Sequence, residues 1–270
     1  MSSEALAAPV RGSHAAHRGL SYLFDLLAVL VARDMKLLYK GSALGVLWTL
    51  INPFFQLLVF LFIFQIVVRV DIPHYPSYVF TALLVWQWFS GSIVQAAGAI
   101  INSRPLIRQP GFPVSILPPV VVTTGLIHLL LALPVLFGFL IFDGIAIRVS
   151  ALWIPVIQLI QFTLQGSLAY IVAGLNVSFR DTAHLLRVLL QLMFYLTPVF
   201  YDAQRVPVDY QSLYRLNPMV HIVNAYRRVL IDGVSPDWVP LGIVAACALI
   251  LLPLGYRLFI RQSHRFVEEL

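Results

Sequence analysis

The side chains of this sequence best placed to do chemistry in an apolar setting are neutral amides at helical spacing. Gln87, Gly91, Gln95, Gly98 and Asn102 recur at i, i+4, i+8, i+11 and i+15, which is one face of a helix. Gln158, Gln161 and Gln165 repeat the pattern with Asn176 further along, and Asn52–Gln56 and Gln191–Tyr195 make shorter pairs. Amides facing lipid are costly, so these stripes must face other helices or a pore. Glue for a bundle and lining for a path both fit. Aromatic residues cluster beside them, as Trp86, Trp88 and Phe89 and as Phe194, Tyr195, Phe200 and Tyr201. Interfacial belts account for some of these. Aromatic faces also suit stacking on sugar rings, so an uncharged path lined by Trp86, Gln87, Phe89, Gln95, Gln158, Gln161, Gln165, Gln191 and Tyr195 fits a glycan better than an ion.

Several chemistries are absent. No G-x-x-x-x-G-K-[ST] phosphate loop occurs, so ATP is not bound and hydrolysed in that way. No H-E-x-x-H and no metal-spaced His, Cys and Asp cluster appears, and no metal or cofactor is expected. Proton- or sodium-driven carriers need ionisable groups within the membrane. Here Asp71, Asp143 and Asp181 all sit at the ends of apolar runs, leaving only His128, which reads better as a residue bonded to a neighbouring helix. Uphill transport would therefore draw its energy from a partner. A membrane-embedded lipid-modifying enzyme would need an acid or His cluster near one interface, where only Asp202, Asp209 and His221 are scattered.

The elements that position these residues are membrane spans. Of 270 residues, 60% are apolar and 11% charged, against about 25% charged in soluble domains, and mean hydropathy is +0.86. The runs Gly41–Val68, Ile72–Ser103, Gln109–Phe142, Val149–Phe179 and Trp238–Tyr256 carry no charge, and each is long enough to cross about 30 Å of hydrocarbon. Val188–Tyr201, extended back through Leu185, makes a sixth candidate. The pattern predicts an all-α polytopic membrane protein with six spans at about 44–68, 77–101, 116–142, 151–178, 183–201 and 238–260. A disordered 1–17 would precede a single membrane domain over 18–270. Cys247 stands alone, so no disulfide framework or cysteine metal site is possible within the chain. Arg33-Asp34-Met35-Lys36 follows the first apolar stretch where small cleavage-site residues would be needed, so no cleaved signal is expected.

Residues 18–40 read as an amphipathic helix, with Arg18, Asp25, Arg33, Lys36 and Lys40 on one side, lying in the membrane interface. The alternative is that they are the first turns of a long first span. Gly41, Ser42 and Gly45 favour a bend. With both termini cytoplasmic, twelve of the eighteen Lys and Arg fall inside, both lysines among them, as the positive-inside rule requires. The acids divide evenly, so the net +6 belongs to topology and lipid headgroups and not to nucleic acid. The inner loop Asn102–Ser115 holds Arg104, Pro105, Arg108, Pro110, Gly111 and Pro113, too much proline and glycine for a passive linker. Outside, residues 202–236 carry Met219–Ile231, apolar but too short to span. Asn217-Pro218 is a good helix start and Asp232-Gly233 a good stop, so a short helix should dip into the bilayer or lie on it as a gate, the alternative being a lid that only caps the bundle, with Arg227 and Arg228 at its end near lipid phosphate.

Arg33-Asp34-Met35-Lys36, then Tyr39 to Trp48 (YKGSALGVLW), then Asn52-Pro53, resembles the N-terminal motif of type-2 ABC exporter permeases for polysaccharides. Asn176 to Asp181 (NVSFRD), Phe194 to Tyr201 (FYLTPVFY), and Asn217-Pro218-Met219 followed by Tyr226-Arg227 are similar to the same family. The resemblance covers the chain from about residue 20. It implies an O-antigen-type permease in which two copies pair with two copies of a separate ATPase and export a lipid-linked polysaccharide across the inner membrane. It places Arg33, Asp34, Lys36, Arg104, Pro105, Arg108, Arg180 and Asp181 at the ATPase. It makes Tyr201, Pro218, Met219, Tyr226 and Arg227 parts of an outer gate. Teichoic acid, capsule or a smaller lipid or drug are the alternative cargoes.

Overall fold

Proline and glycine set the helix boundaries. The computed structural model describes residues 19–42 and 45–269; the predicted disordered 1–17 lie outside the described residues. The long helices are α1 (Leu20–Tyr39), α2 (Trp48–Phe60, continued by a π-helical turn Leu61–Val67), α3 (Tyr75–Asn102) and α5 (Leu117–Phe142), then α6 (Ile154–Ser178) and α10 (Trp238–Glu269). Shorter ones are α4 (Arg104–Ile107), α7 (Thr182–Tyr195), α8 (Val208–Tyr214) and α9 (Pro218–Arg227). No strand occurs among the described residues. Prolines open α3, α5, α6 and α9, where the missing N–H costs nothing. Asn217 caps α9 as expected, its side chain accepting from the Met219 N–H at 3.0 Å. Gly233, at φ 69°, ends the segment in the left-handed conformation that lacks a Cβ penalty in glycine.

Gly41 takes φ 78° just after α1, so α1 is a helix of its own and not the first turns of α2. Its Leu30 and Val31 pack on Ile116 and Val120 at the start of α5. At the centre of the bundle α3 contacts α2, α5, α6, α7 and α9, while α10 lies along α6. That last pair is close: a Cβ on Gly255 would stand 2.7 Å from the Ser167 carbonyl oxygen and 3.1 Å from Ile171 Cγ1. Gly255→Ala is therefore expected to cost about 1–3 kcal/mol through overpacking. Gly242→Ala, in open space on the same helix, should be neutral or slightly stabilising. Melting of the purified variants checks both.

Among the described residues, five stretches are long and apolar enough to cross a membrane: Trp48–Val67, Tyr75–Asn102, Val114–Phe142, Val149–Ser178 and Trp238–Ser263. The predicted helical span 183–201 is corrected. Its helix, α7, has 14 residues, about 21 Å, and unwinds after Tyr195. Pro198 is the reason, since it supplies no N–H and disfavours helical backbone in Thr197. The chain nevertheless runs along most of α3. At its start the Ala183 N–H donates to Asn176, whose amide donates to the Ala97 carbonyl. At its end Tyr75 and Tyr78 donate to the carbonyls of Phe200 and Tyr201. From Tyr78 to Ala97 is about 28 Å of helix.

Candidate functional site

Between α1, α2, α3 and α5 lies a cavity of about 370 Å³. Helical periodicity puts Gln87, Gly91 and Gln95 of α3 on one wall, as the amide stripe predicts. Facing them are Trp48, Thr49 and Asn52 of α2, His128 and Ala132 of α5, and Tyr39 from the last turn of α1. Gln87 donates to Gln56 at 3.3 Å. The hydroxyl of Tyr39 and Nδ1 of His128 are 2.9 Å apart, so His128 is bonded to a neighbouring helix as read from the sequence. Among the described residues, no Asp, Glu, Lys or Arg lines the cavity. A neighbouring hollow of about 290 Å³ shares Leu38 and Gln95 with it and adds Asp34, Leu37, Val121 and Thr124.

The other amide stripe goes elsewhere. Gln161 and Gln165 on α6 are fully buried inside the chain, and the Gln161 amide donates to the Val85 carbonyl of α3 at 3.1 Å. Gln158 is half-buried on the same face. Only Gln161 bonds to another helix; the Gln165 amide is buried without a hydrogen-bond partner, and none of the three lines the cavity. Trp86 and Phe89 are likewise buried, Trp86 meeting Phe89 at 5.5 Å and Phe194 at 5.7 Å between ring centres. Gln191 and Tyr195 are exposed on α7, beside Leu185, Val188 and Leu192.

The residues expected at an ATPase gather at one end of the bundle. Arg104 and Pro105 belong to α4, which follows the end of α3, and Arg108 caps it. Ile107 anchors α4 among Ile100, Leu117, Val177 and Phe259, while Leu106 packs towards α1. Arg180 and Asp181 form the exposed turn between α6 and α7 at the same end. On α1, Arg33 grips Asp34 through two donors at 2.7 and 2.9 Å, and Lys36 is exposed.

At the opposite end the expected position of Arg227 is corrected. It does not reach towards lipid phosphate but is 4% exposed, turned inward. Its guanidinium donates to the carbonyls of Tyr78, Pro198 and Val199 at 2.5–3.2 Å and stacks 3.3 Å from the Tyr78 ring centre. The Pro198 and Val199 carbonyls are free because the chain unwinds there, and non-helical backbone at membrane depth needs such partners, whereas the Tyr78 carbonyl belongs to the first turns of α3. Burial lowers the guanidinium's pKa to about 10, which leaves it charged at neutral pH. Burial also raises the carboxyl of Asp232, opposed by Arg228 and Arg227. Met219 and Tyr226 point into the core, Pro218 is half-buried, and Tyr201 donates to the Tyr195 carbonyl. The inward role of Arg227 left no mark in the sequence, because its partners lie 28, 29 and 149 residues away.

The profile of the ABC-2 type transporter family matches residues 25–231. The O-antigen export system permease protein RfbA of Myxococcus xanthus is 37% identical over 251 residues, 91% of this chain and 95% of the relative. That of Klebsiella pneumoniae is 33% identical over 93% of this chain and 97% of its own. The polysialic acid transport protein KpsM of Escherichia coli is 22% identical over 85% of this chain and 90% of its own. A family of this kind works with an ABC ATPase and supplies the transport subunit. With five span-length helices and a profile match over most of its length, the chain is a multi-pass membrane protein that belongs to the ABC-2 type transporter family.

Proposed function

We propose that this chain is the membrane-spanning subunit of an ATP-driven exporter that moves a lipid-linked, O-antigen-like polysaccharide from the cytoplasmic to the outer side of the inner membrane. The observation that carries the reading is similarity at 32–37% identity, over more than nine-tenths of the chain, to permeases named for O-antigen export. The relatives named for polysialic acid transport stand at 22%, which favours an O-antigen-like cargo over a capsule. In this reading the chain crosses six times, with α7 and the unwound Leu196–Tyr201 together as the fifth crossing, and both termini are cytoplasmic. The end holding Arg33, Lys36, Arg104, Arg108 and Arg180 then faces the ATPase, and α1 lies in the interface.

Two copies pair with two ATPases. The apolar faces of α2 (Phe55, Phe62, Ile66) and α7 (Leu185, Leu192) are exposed in the single chain and suit a second copy or lipid. Gln191 and Tyr195 of α7 stand on that face and would border the cargo path. The outer segment, with α9 lodged against α3, α6 and α10, seals the path at rest. Deleting the chain's gene should remove long-chain polysaccharide from the cell surface while the lipid-linked glycan accumulates inside, and restoring it should reverse both. Normal surface glycan with loss of a smaller lipid outside would instead identify that lipid as the cargo.

A further inference from the structure

The cavity beneath α1 is built for more than packing. Its volume of about 370 Å³ falls within the range of about 300–1,000 Å³ typical of small-molecule sites. Four helices contribute polar groups to it: Tyr39, Asn52, Gln87 and Gln95, and His128. Ser92, which also lines it, is 2% exposed and its hydroxyl has no hydrogen-bond partner. A buried polar atom without a partner is uncommon and calls for one. Small residues, Gly91 and Ala132, keep the space open, and the indole of Trp48, 56% exposed, forms part of the wall. The adjoining hollow past Gln95 adds the Asp34 carboxylate on the side of α1.

The chemistry of this lining selects its ligand. Without a cation it offers nothing to a phosphate, and without an acid inside it offers little to an amine. Amides, hydroxyls and an imidazole supply donors and acceptors together. An indole face adds a flat apolar surface for a ring. That combination matches an uncharged, hydroxyl-rich ring. We propose that the cavity is a sugar-binding site within each copy of the chain, one that receives a single uncharged sugar ring. This rests on the export reading above and deepens it: the site lies inside one chain, between α1, α2, α3 and α5, and touches α1, the helix placed in the membrane interface. A bound ring would contact α1, α2, α3 and α5 at once, and would compete with the Tyr39–His128 hydrogen bond.

The test uses the complete complex with its ATPase in lipid nanodiscs. Thr49, on the cavity wall, is replaced in a T49C variant that also carries Cys247→Ser, and labelling by a small thiol reagent is timed. Three probes are compared: a diacylglycerol bearing one uncharged hexose, diacylglycerol alone, and the free methyl hexoside. Protection by the glycolipid and the free sugar supports the site. Protection by the glycolipid alone supports it with a lipid-presented sugar. Equal protection by plain diacylglycerol, or protection by none, overturns it. Asn52→Leu or Gln95→Leu should weaken the protecting affinity about tenfold, the equivalent of about 1.4 kcal/mol for one lost hydrogen bond. Gly91→Leu fills the cavity from a position where an added Cβ meets only the Gln95 amide at 3.9 Å, and should abolish protection. Unchanged protection in all three variants also overturns the site. Export is measured in parallel in the T49C background: export without protection removes the sugar site and leaves the export reading, whereas absent export in the unaltered chain removes the reading itself.

Discussion

Replacing Arg227 with methionine is expected to abolish export and to destabilise the protein by at least about 3 kcal/mol. The guanidinium serves carbonyls at Tyr78, Pro198 and Val199, all in the protein interior. Leaving a buried acceptor without its partner costs about 1–3 kcal/mol each, and methionine, of similar length, serves none of them. Arg227→Lys should fail nearly as badly despite keeping the charge. An ammonium is a compact point donor and cannot spread across three carbonyls on two segments as the planar fork does, nor stack on the Tyr78 ring in the same way. Arg228→Ala provides the contrast. Its pair with Asp237, at 3.3 Å, is solvent-exposed and worth at most about 1 kcal/mol. Thermal unfolding of the three purified variants, together with surface glycan in cells, checks the ranking. A stable, active Arg227→Met would mean that the unwound backbone at Pro198 is satisfied in some other way.

That Arg227 surprised is instructive about what a sequence makes legible. Signals confined to a few neighbouring residues were reliable. Asn217-Pro218 starts α9, Gly233 stops the segment after it, and the glycine after α1 breaks it from α2, all as local chemistry dictates. The face of α3 carrying Gln87 and Gln95 also followed from spacing alone. Spacing could not say what each face meets. The stripes on α3 and α6 look alike in the sequence, yet one borders a cavity and the other is buried against Val85. Tyr39, Asn52 and His128 converge with Gln87 only through packing between four helices, across separations that no local pattern records. Pro198 lies within an apolar run in the sequence, and hydropathy alone does not show that the helix ends before it. The local rule at proline was available; its consequence, carbonyls at Pro198 and Val199 needing a cation 29 and 28 residues away, was not.

The second large effect concerns the opposite end, where Ile107→Asp is expected to uncouple ATP hydrolysis from export. Ile107 is 6% exposed and fixes the four-residue α4 to the ends of α3, α5, α6 and α10 through Ile100, Leu117, Val177 and Phe259. Its neighbour Leu106 packs towards Leu30 and Val31 of α1. A push on α4 therefore reaches the central helix and α1 together. A helix of four residues has no stability of its own, so its position depends on these anchors. An unpaired carboxylate in that apolar pocket is costly enough to expel the turn. The exposed surface of the loop, Arg108, Gln109 and Pro110, is untouched by the change. Docking should accordingly survive while transmission fails: the ATPase still co-purifies and hydrolyses ATP, and export falls to background. Cysteines at Gln109 or Pro110, in a Cys247→Ser chain, should crosslink to the ATPase both with and without Ile107→Asp. Crosslinks obtained instead from the loops around Asp71 or Arg148 would place the ATPase at the other end and reverse the topology. Loss of all crosslinking in Ile107→Asp alone would make the residue part of the docking surface, and the transmission argument would fall.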